Sequence, residues 1–110
     1  MKYLSTAASD TLKRIRRGQS DREVTVAVLD YLRDIPVEAL SHLPEACRPA
    51  GLAERDDIVG FNLELARCEL MFQGAEHSIV LLREMLAVTS EAASRFAHLS
   101  AQLAGPPTKP

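Results

Sequence analysis

The side chains able to do chemistry in this chain are a basic cluster near its start, three histidines, two cysteines and the adjacent Asp56 and Asp57. Lys13, Arg14, Arg16, Arg17 and Arg22 stand close enough in sequence to form one patch contacting several phosphates. Residues 1–17 carry five bases against one acid, and the remaining residues carry eight bases against fourteen acids. The acidic body, an isoelectric point near 5.9 and the absence of interleaved aromatics weigh against a nucleic-acid surface. Asp21, Glu23, Asp30 and Asp34 on the following segment would repel a phosphate backbone. Cations in the last turn of a helix, facing its free carbonyls, account for the cluster without a ligand.

The other groups carry weaker signals. His42, His77 and His98 lie on three separate segments, and His42 and Cys47 have no second ligand pair, so no metal site is expected. Cys47 and Cys68, twenty-one positions apart, have neither CxxC spacing nor the density of a disulfide scaffold. Both are expected to be reduced, ordinary residues of a cytoplasmic protein. Asp56-Asp57 suits a helix start better than an acid/base pair. There is no GxSxG, no glycine-rich phosphate loop and no activated thiol, so no catalytic residue, cofactor or enzymatic activity is expected.

These side chains must be held by helices. Ala8, Leu12 and Ile15, with Leu4, share one face of a first helix over 3–17, stopped by Gly18. Ser20 followed by Glu23 is a capping box. It opens a second helix striped by Val24, Ala27, Val28, Tyr31, Leu32 and Ile35. Pro36 closes that helix and opens a short one over 37–43. Pro44, Pro49 and Gly51 then make a loop with room for one helical turn.

Ile58, Phe61, Leu65, Cys68 and Phe72 recur at three- and four-residue spacings, which predicts a fourth, central helix within 53–73. Val59, Leu63, Ala66 and Leu70 read as widening its stripe, and Gly60 as a point where a neighbouring helix comes close. A fifth helix spans 75–103, with Thr89-Ser90 as its weakest point, where a bend would fall. The predicted fold is all-α: four main helices and one short one, built around an antiparallel hairpin of 53–73 and 75–103. Residues 1–104 form one domain, and 105–110 form a disordered tail. No segment has the length and apolarity of a membrane span, and the mixed charge of the helices argues against lying on a membrane surface.

A 29-residue helix is about 43 Å long, longer than the diameter of a small domain, near 30 Å. Either it bends at Thr89-Ser90, or about two turns overhang and need a partner. The function expected is therefore a non-enzymatic protein–protein interaction module: an adaptor, chaperone or inhibitor acting by helix-face docking or occlusion. Met85, Leu99 and Leu103 are its expected anchors and a homodimer its expected state. This profile fits phage or bacterial inhibitors, helical adaptors, secretion chaperones and antitoxins alike. The alternative is a nucleic-acid-associated regulator using residues 13–22.

Overall fold

A computed structural model describes residues 5–104 of the chain. Leu4 of the first-helix stripe and the expected tail at 105–110 lie outside the described residues. Five α-helices follow in order: α1 Thr6–Arg17, α2 Asp21–Arg33, α3 Val37–Leu40, α4 Arg55–Met71 and α5 Glu76–Ala104. A single 3-10 turn, Glu45–Cys47, lies in the loop between α3 and α4. The described residues contain no strand.

Local chemistry sets the helix starts. The Ser5 hydroxyl accepts from the Ala8 amide to begin α1, and the Ser20 hydroxyl accepts from the Glu23 amide to begin α2. Glu23 reaches back to the Gln19 amide at 2.7 Å, one residue beyond its usual capping-box partner. At α4 the Asp57 carboxylate accepts from the amides of Ala53 and Glu54 at 2.8 and 2.9 Å. Those two bonds hold its pKa below the ordinary 3.8. Gly18 between α1 and α2 has φ −62°, so handedness does not require glycine there. Space does: a methyl at Gly18 would sit 2.7 Å from Val24 Cγ2.

α5 lies at the centre, against α1, α2 and α4. This corrects the expectation that α4 is central. Its Ser78, Leu82, Met85, Val88, Thr89, Ala92, Phe96 and Leu99 are all buried. Cross-links fix the directions of its neighbours. Asn62 and Arg83 of the α4–α5 pair bond Thr89 and Glu69 respectively, and Arg55 bonds Ser100, so the two helices run in opposite directions. Along α1, the Ser5 amide donates to Glu84 Oε2 and Arg95 donates twice to the Gly18 carbonyl, at 2.9 and 2.7 Å. α1 and α5 therefore run the same way.

The helix does not break at Thr89-Ser90, its weakest point by sequence: α5 continues through both residues. Thr89 is fully buried, and its hydroxyl donates back to the carbonyls of Met85 and Leu86 while accepting from Asn62 Nδ2 at 2.8 Å. The threonine is tied into its own helix and to the neighbouring one. Nor do two turns overhang. Burial extends from Ser78 to Leu99 and Arg55 reaches Ser100, leaving only the last turn beyond the body. The body is elongated, 57 × 31 × 26 Å, so the comparison with a sphere overstated the overhang.

Cys47 and Cys68 correct another expectation: their sulfurs pair as a disulfide. Cys47 is fully buried in the 3-10 turn, and Cys68 is half-buried on α4. The bond ties the loop to α4. Arg48 secures the same loop by donating to the carbonyls of Leu43 and Ser41.

Candidate interaction surface

α4 carries two apolar faces. Ile58, Phe61 and Leu65 are buried, and Cys68 and Phe72 are half-buried along the same line. Leu63 lies two residues on from Phe61, roughly 200° around the helix axis, and is 65% exposed. Leu70 is 86% exposed. Val59 and Ala66, half-buried, flank them. Val59 packs against the core and does widen its stripe, whereas Leu63 and Leu70 turn outward. A full line of exposure runs Asp56, Gly60, Leu63, Arg67, Leu70, at spacings of four, three, four and three. Gly60 also departs from expectation. A methyl there would meet no atom within 4 Å, so among the described residues no neighbouring helix approaches it.

Of the three expected anchors, Met85 and Leu99 lie inside the bundle, at 0% and 4% exposure. They help join α5 to its neighbours and are unavailable to a partner without opening the fold. Leu103 is on the surface at 87% exposure, in the last turn of α5. The sequence signal that would have located the outer stripe was present, but two apolar stripes on one helix do not say which one faces the core.

The basic cluster is partly neutralised. Arg14 bonds Asp30 at 3.0 Å and Arg16 bonds Glu91 at 3.3 Å. Lys13, Arg17 and Arg22 are exposed, with no ion pair among the described residues. Arg14, Arg17 and Arg22, with Gly18, Glu23 and Val26, surround an open hollow of about 380 Å³.

A hollow of about 550 Å³ lies between the loop and the end of α4 and is lined by His42, Arg67, Cys68 and Met71 among others. The rings of His42 and His77 stand edge to face with centroids 6.1 Å apart, whereas His98 stands apart on α5. Among the described residues, no three or more histidine, cysteine or acidic side chains gather as metal ligands would.

Glu84 stands beside a hollow of about 310 Å³ that Asp34 and His77 also border. Tyr31 donates to Glu84 Oε1 at 2.6 Å, and the Ser5 amide donates to Oε2. Burial foremost, then the bond to Glu84 and its negative charge, push the Tyr31 hydroxyl well above the ordinary tyrosine value. Both carboxylate oxygens are thus committed to holding α1 and α2 on α5.

No protein-family model, curated protein or solved structure matches the chain. No helix among the described residues is long and apolar enough to cross a membrane.

Proposed function

We propose that the protein is a non-enzymatic interaction module, an adaptor, chaperone or inhibitor, that docks a protein partner on the outward face of α4. In this reading the α4–α5 hairpin frames a four-helix bundle, and its outer side is the working surface. The observation that carries it is the exposure of Leu63 and Leu70 on a helix whose other face already fills the core. Met71, 75% exposed, extends the apolar surface at the helix end. Contiguous exposed apolar side chains rimmed by charge are the usual mark of a protein-binding face. The cytoplasmic setting belongs to the same proposal; there the ambient thiol poise would set the state of the Cys47–Cys68 bond.

The test compares capture of partners by the wild-type chain and by the Leu63→Glu/Leu70→Glu variant, with circular dichroism to verify the fold. We expect the variant to lose binding by about tenfold or more, as apolar anchors do when charged. Equal capture by both chains would sink the proposal.

The hollow beside Arg17 and Arg22 favours one second reading, in which the module binds nucleic acid. Arg14 and Arg16 already have carboxylate partners, so the informative variant is Arg17→Glu/Arg22→Glu. A salt-sensitive association with DNA or RNA that this variant abolishes would give the second reading priority.

A further inference from the structure

We infer that the outward face of α4 pairs, antiparallel and about a two-fold axis, with the same face of a second copy of this chain. The inference rests on the interaction reading above and names its partner.

The first argument is Gly60. A glycine in mid-helix costs about 1 kcal/mol relative to alanine, and among the described residues nothing offsets that cost, because no neighbour comes within 4 Å. Beside Leu63 on the exposed line, Gly60 leaves open space where a side chain would stand, a notch against which a leucine from another helix can pack. Along the line, Leu63 stands three residues after the notch, so an antiparallel copy sets each Leu63 into the other chain's Gly60.

Charge gives the second argument, and it selects the same register. With Leu63 against Gly60, Asp56 of each copy lies opposite Arg67 of the other. The two residues are eleven positions apart, just over three helical turns or about 16 Å, and so share one side of the helix. Both are exposed. Arg67 at present touches only Glu64 on its own helix, and Asp56 only the adjacent Arg55. One acid and one base near opposite ends of a line match favourably when the line is reversed against itself. A parallel copy in register would set like against like. A two-fold contact makes every such match twice, which is how one surface becomes its own partner. Val59 and Ala66 border the seam, and Leu70 extends it.

Light scattering coupled to size-exclusion chromatography in the micromolar range tests the pairing. The wild-type chain is expected at twice its 12.1 kDa mass, and Leu63→Glu at the single mass. Asp56→Arg alone and Arg67→Asp alone each set like charges together twice and should weaken association about tenfold or more. Mixed in equal amounts, those two variants restore both opposite-charge contacts and should return to the doubled mass. All these positions are on the surface, and circular dichroism verifies that helicity is retained.

A wild-type chain at the single mass overturns the inference. So does a Leu63→Glu chain that stays doubled, or a mixture that associates no better than its components. The two proposals separate cleanly. A single-mass wild type that still loses a foreign partner on Leu63→Glu/Leu70→Glu rejects self-pairing and leaves the interaction module standing. A doubled mass with no effect of that variant on foreign capture does the reverse.

Discussion

α5 touches α1, α2 and α4, whereas α4 leans on α5 and the Glu45–Cys47 turn and meets α2 more lightly. Both helices are rich in leucine, alanine and other apolar residues. On α5 Leu82, Met85, Val88, Ala92, Phe96 and Leu99 are buried, and Glu84, Glu91 and Arg95 each tie it to α1 or to the turn after it. On α4 only Ile58, Phe61 and Leu65 are buried, while Leu63 and Leu70 face outward. Apolar content therefore does not identify the central helix. The number of neighbours does, and a helix with more apolar faces than neighbours has surface left over for another molecule.

Truncation should separate the two helices most sharply. Met85→Ala removes a fully enclosed side chain and should cost about 2–5 kcal/mol in denaturant unfolding. Leu63→Ala in dilute monomer should cost no more than about 0.5 kcal/mol. Equal losses would erase the distinction between the two faces.

The next effect concerns how α4 is held. The bond between Cys47 and Cys68 adds a tie to the loop beside the helix's packing on α5. Reduction of a cross-link spanning twenty-one positions should lower stability by about 3 kcal/mol. Unfolding curves with and without dithiothreitol read this directly, and coincident curves would show that packing alone fixes α4.

Tyr31 probes the α5 side. Tyr31→Phe removes the bond to Glu84 and should cost about 1.5–3 kcal/mol. It should also change the alkaline limb of the stability profile. The hydroxyl's folded pKa is raised, so the unfolded chain releases that proton first. Its contribution is intact below the ordinary value of 10.0 and falls as pH rises past it. In Tyr31→Phe that part of the fall should vanish.

The smallest effect returns to α4. Gly60→Ala should stabilise the monomer by about 0.5–1 kcal/mol, because the helix gains propensity and the methyl meets nothing. The same change should weaken self-association by narrowing the notch. A variant more stable as a monomer and poorer as a dimer is an outcome that a purely structural glycine would not produce.

Much of this fold was legible in the sequence because its signals are local. Ser20 with Glu23, Pro36, the Ile58–Phe61–Leu65 spacing and the long proline-free segment place α2 to α5 within a few residues of their observed limits. What escaped depends on contacts between elements. Cys47 meets Cys68 only because the loop after α3 folds back on α4, and no spacing rule encodes that return. Thr89 reads as a weak helix former until Asn62 stands across from it. Of the candidate anchors, Leu103 is at the surface, whereas Met85 and Leu99 are enclosed by α5's neighbours. The basic cluster was visible in full, but the carboxylates of Asp30 and Glu91 that occupy Arg14 and Arg16 come from other helices.

The two grips on α1 carry a consequence for how this chain can vary. Glu84 holds the amide at one end and Arg95 the carbonyl at the other, and both stand on one uninterrupted rod. α5 thus works as a gauge of fixed length. One residue added to α1 would lengthen it by about 1.5 Å and turn everything beyond by about 100°, so that Gly18 and the Arg95 grip could not both be met. Insertions should therefore be rejected within α1 and accepted in the exposed part of the loop beyond Arg48, where no such measure is taken.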